Sequence, residues 1–143
     1  MAAVVTDRRP DQDALVELYA SVGWTAYTRE PERLCQAVTG SRWVASAWEG
    51  ERLVGLCRAV GDGVSICYLQ DVLVHPDCQR QGLGRSLVQA CLDAHADVRA
   101  LVLMTDDRPE QLAFYEALGL QRLADLKETK LNIYLRFAGM RLS

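Results

Sequence analysis

One junction near the middle of the chain restricts its fold more than any other stretch. The mostly apolar run from Ile66 to Val74 reads as a buried strand, and His75-Pro76-Asp77-Cys78-Gln79-Arg80-Gln81-Gly82-Leu83-Gly84-Arg85 follows it directly. Beyond it, Leu83, Leu87, Val88, Cys91 and Leu92 recur at the spacing of one helix face. A strand therefore runs into a tight, basic, glycine-containing loop, and the loop opens a helix. The first amides of a helix lack intrahelical partners and stand at the positive end of its dipole, so such a loop suits a phosphate. Gly82 and Gly84 let a ligand approach those amides with no Cβ in the way.

The flanking stretches are assigned by period. Ala2 to Val5 predicts a short strand. Asp11 and Asp13 favour a helix start, Leu15, Leu18, Tyr19 and Val22 supply its apolar face, and Gly23 ends it in the left-handed conformation. Trp24-Thr25-Ala26-Tyr27 reads as a loop carrying two aromatics. Pro31 suits the first turn of a second helix that ends at Gly40, with Leu34, Ala37 and Val38 inward. Trp43 to Trp48, Leu53 to Val60 and Val64 to Val74 predict strands whose short connections imply an antiparallel meander.

The helix after the glycine loop is expected to run to about Ala96. Arg99 to Met104 is near-continuously apolar, as a strand covered on both faces would be, and the strand–helix–strand order favours parallel alignment with the strand before the loop. Asp106 and Asp107 can cap another helix, with Pro109 in its first turn, Leu112, Phe114, Tyr115 and Leu118 along it, and Gly119 at its end. Leu120 to Leu123 and Leu131 to Phe137 predict two last strands. The reading is one α/β domain of the α+β type over residues 1–143, with a sheet that mixes antiparallel and parallel strands.

Composition narrows the function. A chain of 143 residues with 50% hydrophobic and 24% charged residues is ordinary globular usage. A net charge of -3 and a pI near 5.4 argue against a nucleic-acid surface, and Arg80 with Arg85 is the one local basic cluster of interest. No apolar run approaches the roughly 18 residues of a membrane helix, and the N-terminus lacks a signal peptide's apolar core. A cytoplasmic protein with no membrane or nucleic-acid partner is expected. The cysteines at 35, 57, 67, 78 and 91 are odd in number and none forms a Cys-x-x-Cys pair. Reduced, mostly buried thiols are expected, with no disulfide framework and no metal. Cys78 falls in the loop, where exposure could make it reactive, and His95 reads as solvated.

The residues resemble the GNAT superfamily of acyl-CoA-dependent N-acetyltransferases. Gln79, Gly82 and Gly84 fill that family's Gln/Arg-x-x-Gly-x-Gly/Ala loop between a strand and a helix, and Val74-His75-Pro76-Asp77 is its usual lead-in. Phe114-Tyr115-Glu116-Ala117-Leu118-Gly119-Leu120 resembles the second motif, a Phe-Tyr followed by a helix-ending glycine. Rival loops fit worse: a P-loop needs Gly-Lys-Ser/Thr, and a dinucleotide fold needs a third glycine where Leu87 stands. The resemblance implies a mixed central sheet of about six to seven strands flanked by about four helices, with one parallel strand pair splayed apart. It also implies acetyl-CoA as co-substrate, an amine acceptor, and a homodimer by family habit.

By the same resemblance, the CoA pyrophosphate would rest on Gln79, Arg80, Gln81, Gly82, Leu83, Gly84 and Arg85. The pantetheine arm would bond to the backbone of Val72, Leu73 and Val74, where an N–H near Leu73 or Val74 would serve the oxyanion. Tyr115 matches the family's tyrosine beside the leaving sulfur. An unperturbed phenol titrates near 10 and a thiol near 8.5, so outright proton transfer is uphill by roughly 2 kcal/mol, and a hydrogen bond to the developing thiolate serves as well. Asp71 stands where several members carry an acid; it reads equally as a general base and as a structural acceptor, with Tyr68 or a water relay as alternatives. Relatives often place an asparagine before the Phe-Tyr pair. Here Asp106 to Gln111 contains none, leaving Arg108 or Gln111 in its place. Trp24 and Tyr27 are the candidates for an acceptor wall. The expected activity is acetyl transfer to a primary amine of a small molecule or peptide, against a non-catalytic acyl-CoA-binding module or an interaction protein whose loop binds nothing.

Overall fold

The computed structural model describes residues 2–139. They divide into two compact units, one ending at Thr105 and one beginning at Asp106. The first unit contains β1 (Ala3–Val5), α1 (Gln12–Ser21), α2 (Thr25–Thr28), α3 (Pro31–Thr39), β2 (Trp43–Glu49), β3 (Arg52–Gly61), β4 (Ile66–Val74), α4 (Leu83–Ala94) and β5 (Ala100–Val102). The sheet order is β1-β2-β3-β4-β5, antiparallel up to β4 and parallel between β4 and β5. This is the mixed α/β architecture expected, with five strands among the described residues rather than six or seven.

Local chemistry explains most element ends. The Asp11 carboxylate caps α1 by accepting from the Ala14 amide at 2.9 Å, and Gly23 follows with φ +76. Pro31 opens α3. Three expectations fail. Thr25–Thr28 is a short helix, not a loop. Only Ala100–Val102 of the apolar stretch pairs as a strand, and Val102 and Met104 are exposed, so this edge is not covered on both faces. The N-cap of the helix Pro109–Ala117 is Arg108, held by Asp106 through its amide and its Nε, in place of an aspartate side-chain cap.

Two layers clasp the sheet. Leu15, Leu18 and Tyr19 of α1 and Leu34 and Val38 of α3 pack on Val44, Leu53, Leu56 and Leu73. Each such leucine, removed from water, contributes about 1.5–3 kcal/mol. Alternate residues of β3 face the other way, toward Leu83, Leu87, Val88 and Cys91 of α4. Helix and sheet come unusually close there. A Cβ on Gly55 would lie 3.1 Å from Leu87 Cδ1 and 3.2 Å from Leu83 Cδ2. Gly55→Leu should therefore lift α4 and cost about 1–3 kcal/mol, read as a lower urea midpoint with an unchanged m-value.

A bulge on β4 sets the site. The register passes from Ala59↔Leu69 to Arg58↔Asp71, so Gln70 has no partner on β3. In an unbroken strand, residues 67, 71 and 73 would share one face. Here Cys67 meets Cys91 of α4, whereas Asp71 meets Tyr19 of α1 and Leu73 joins the α1–α3 core.

The second unit holds α5 (Pro109–Ala117) and a 3-10 turn at Leu123–Asp125. Gly119 ends α5 region with φ +91, as expected. Neither Leu120 to Leu123 nor Leu131 to Phe137 is a strand. Leu131, Ile133, Tyr134, Leu135 and Phe137 are all exposed, so the alternation that suggested a strand has no buried face to serve.

Candidate active site

The glycine loop starts from a braced turn. His75 Nδ1 accepts from the Asp77 amide, and Arg52 pairs with Asp77 at 3.2 Å. Gln79 Nε2 donates to Val74 O at 3.0 Å, tying the loop to the end of β4. Cys78 is buried rather than exposed: its thiol donates to Glu49 Oε1 at 2.8 Å, and that bond pushes its pKa up. A raised, covered thiol is inert.

The chain then takes left-handed conformations at Arg80 (φ +64) and Gly82 (φ +81), and Gly82 is the N-cap of α4. Left-handed residues of this kind turn nearby amides toward one concavity. The first intrahelical bond runs from the Ser86 amide to Gly82 O, so the amides of Leu83, Gly84 and Arg85 precede the helix ladder. A Cβ on Gly82 would meet nothing within 4 Å, so space lies in front of these amides. A recess of about 300 Å³ lined by Gln81, Gly82, Leu83 and Ser86, with Ala2 and Val4, opens here. Arg80 and Arg85 are exposed and enter no ion pair among the described residues. These features fit a pyrophosphate.

Beside the loop, β4 runs on past its pairing with β5 among the described residues. β5 pairs with β4 only at Ile66, Cys67 and Tyr68. The His75 amide donates to Val54 O on β3 at 2.8 Å. Backbone groups alternate in direction along an antiparallel strand, so Leu73 also faces β3, while Val72 and Val74 present theirs to the side that β5 leaves. Of the three expected backbone contacts, the geometry offers Val72 and Val74, and the Leu73 side chain is core.

Asp71 has a different setting from an exposed base. It is buried, and its Oδ2 accepts from Arg58 Nε at 2.6 Å and from the Tyr19 hydroxyl at 2.9 Å, while Oδ1 accepts from the Tyr27 hydroxyl at 2.9 Å. Burial, then the Asp71 charge, raises the pKa of both tyrosines. Burial opposes the Arg58 charge, but Asp71 beside it outweighs that effect and the guanidinium pKa rises. The group is a closed, charge-paired network. Trp24 and Tyr27 lie together, ring centroids 6.1 Å apart, and Tyr19 meets both edge-on. Tyr27 thus links the expected acceptor wall to Asp71. Tyr19 and Arg58 were not singled out in the sequence, since a helix-face tyrosine and a strand arginine carry no motif; the one signal was an arginine inside an apolar run. A recess of about 220 Å³ beside Tyr27 is lined by Ala26, Glu30, Arg33 and Leu34.

Tyr115 belongs to the second unit. It sits on α5, half-buried, its ring edge-on to Phe114 at 4.9 Å.

The chain is similar to known proteins in sequence and in fold. The family model described as Acetyltransferase (GNAT) family matches residues 7–120. Serotonin N-acetyltransferase 2, chloroplastic, of Oryza sativa subsp. japonica is 37% identical over 119 residues, covering 76% of this chain and 56% of that protein. An uncharacterized N-acetyltransferase, ycf52-like, of Prochlorococcus marinus is 32% identical over 118 residues, covering 78% and 63% respectively. The chain thus spans about six-tenths of the length of these curated relatives. The solved structure of a GNAT-family acetyltransferase from Streptococcus pneumoniae superposes with a TM-score of 0.79 at 31% identity, over 96% of this chain and all of the other. The family match includes the glycine loop, the bulged strand and the Phe-Tyr helix together, and the chain belongs to the GNAT acetyltransferase family.

Proposed function

We propose that the protein transfers an acetyl group from acetyl-CoA to a primary amine of a small molecule or peptide by direct attack. The observation that carries this reading is the left-handed Gly82 cradle at the start of α4, next to the strand edge at Val72 and Val74. Acetyl-CoA supplies a thioester carbonyl open to a neutral amine. The amides of Leu83, Gly84 and Arg85, with the charges of Arg80 and Arg85, hold the pyrophosphate. Gln79 fixes the loop to Val74, and Val72 and Val74 present their backbone to the arm. The Val74 amide is the oxyanion donor, because donors already fixed in place cost no reorganisation when charge develops.

Asp71 serves as a positioning residue in this reading. Three donors already engage it, so it holds the Tyr27 hydroxyl and balances Arg58, and the amine's proton leaves through water. Trp24 and Tyr27 form the acceptor wall. The rice relative is named for serotonin, and an aromatic wall would suit an aromatic amine. Five cysteines without a disulfide fit a reducing compartment, and we place the reaction in the cytoplasm; no helix among the described residues is long and apolar enough to cross a membrane.

Thiol release from acetyl-CoA, measured across aryl-ethylamines, polyamines and peptide N-termini, tests the activity. Tyr115→Phe should lower kcat by roughly 100-fold with CoA affinity unchanged, as loss of a proton or hydrogen-bond donor to the leaving thiolate would. No turnover on any amine, with CoA still bound, would refute transfer. An unchanged kcat in the variant would remove Tyr115 from the chemistry.

A further inference from the structure

The two histidines have different settings. His95 is buried rather than solvated, with its Nδ1 2.7 Å from Cys91 O. His75 opens the short 3-10 turn Pro76–Cys78, which leads into the glycine loop. The β2–β3 hairpin grips that turn from outside. Its end is the pair Glu49↔Arg52, and each of the two reaches across to the turn. Arg52 Nη2 donates to Asp77 Oδ2 at 3.2 Å and stands 2.7 Å from His75 Nε2. The Glu49 carboxylate accepts from the Cys78 thiol at 2.8 Å. Both ends of the turn are therefore fixed just before the chain bends into its left-handed conformations.

We propose, on the strength of that loop's assignment to CoA, that Arg52 and Glu49 are positioning residues for acetyl-CoA. They hold the loop in the shape that receives the pyrophosphate and do not touch the ligand themselves. Arg80 is the link. It is the one non-glycine residue with a positive φ among the described residues, at +64. A residue with a Cβ keeps such a conformation only where its surroundings over-determine it. The Arg80 side chain supplies no such constraint, since it is exposed and enters no ion pair among the described residues. The constraint comes from the stretch before it. There the His75 amide is held by Val54 O, Asp77 by Arg52, Cys78 by Glu49, and Gln79 by Val74 O.

Both hairpin residues are exposed, and exposed ion pairs add little to global stability. Their effect falls on binding. A ligand that must select a minor loop shape binds more weakly by the fraction of time that shape is held. Removing Arg52 should therefore weaken CoA by about 5-fold, the upper end for an exposed charge pair. Chemistry at the bound thioester is untouched, so KM for acetyl-CoA rises while kcat at saturation stays the same.

The test is calorimetric titration of the full chain with CoA, joined to turnover with acetyl-CoA as the varied substrate and the best amine of the panel. Arg52→Ala should lose about 5-fold in CoA affinity, and Arg52→Ala/Glu49→Ala more than about 10-fold, with kcat and the amine KM unchanged. Arg52→Lys keeps the charge and a donor, and should recover part of the loss. In a His75→Ala/Asp77→Ala background the partners of Arg52 are gone, so Arg52→Ala should cost nothing further. A full additional loss there would show Arg52 touching the ligand and overturn the positioning role. Wild-type affinity in folded Arg52→Ala/Glu49→Ala would overturn the inference while leaving the CoA site standing. Absence of CoA binding by the wild-type chain would instead overturn the assignment of the loop itself.

Discussion

Asp71→Ala is expected to remove about 3–5 kcal/mol of stability, because it strands a buried guanidinium. Arg58 has no other carboxylate within reach in the described network, and Tyr19 and Tyr27 lose the acceptor for their hydroxyls. Against a total of about 5–15 kcal/mol for a typical domain, the loss is severe. Urea unfolding should rank the variants in a fixed order. Asp71→Ala costs most. Asp71→Asn keeps an acceptor of the same shape and costs less. Tyr27→Phe removes one hydrogen bond and costs on the order of 1 kcal/mol. A loss below about 1 kcal/mol for Asp71→Ala would show that the pairing does not hold the core. The folded Asp71→Asn protein also separates the two roles. A positioning residue predicts a raised KM for the amine and an unmoved acid limb in the pH profile. A kcat reduced by about 100-fold or more with KM unchanged would make Asp71 the base.

Gly82→Glu should have the largest effect on ligand binding. The residue caps α4 at φ +81, and a side chain there would project into open space in front of the first amides. A glutamate would occupy the cradle and oppose the phosphate charges, so CoA affinity should fall by about 100-fold, equivalent to roughly 2.7 kcal/mol. Folding should suffer only the left-handed strain of a non-glycine residue, about 1 kcal/mol. Calorimetric titration with CoA and urea unfolding read the two effects separately. Gly82→Ala should show the same strain with a smaller loss of affinity. Unchanged affinity in folded Gly82→Glu would refute the placement of the phosphates.

Much of the framework is legible in the chain because it rests on local rules. Asp11 caps α1, Pro31 opens α3, and the glycine loop joins β4 to α4 where the apolar run ends and the helical spacing begins. What escapes is nonlocal or too short to show a period. Thr25–Thr28 makes a single helical turn, which no periodicity reveals. Leu131 to Phe137 alternates like a strand, yet alternation specifies a buried face only when another surface covers it. The Asp71 network draws on α1, α2, β3 and β4, and the grouping of Cys67 with Cys91 and His95 joins β4 to α4; neither pairing across elements leaves a spacing in the sequence. The glycine loop is the opposite case, since its residues are consecutive and its chemistry is carried by their backbone.

Gln70 acts on β4 much as an inserted base acts on a reading frame. Upstream of it, odd-numbered positions belong to the α4 side; downstream, they belong to the α1 side. A single residue without a cross-strand partner thus lets one strand serve two neighbourhoods, sulfur-rich before the shift and charge-paired after it. If β4 ran regularly through Gln70 with no bulge, strict alternation would send a carboxylate and a leucine into the layer built for thiols. Tolerance to substitution along β4 should accordingly follow two phases rather than one, and a consensus drawn from alternation alone would misplace every position past Leu69.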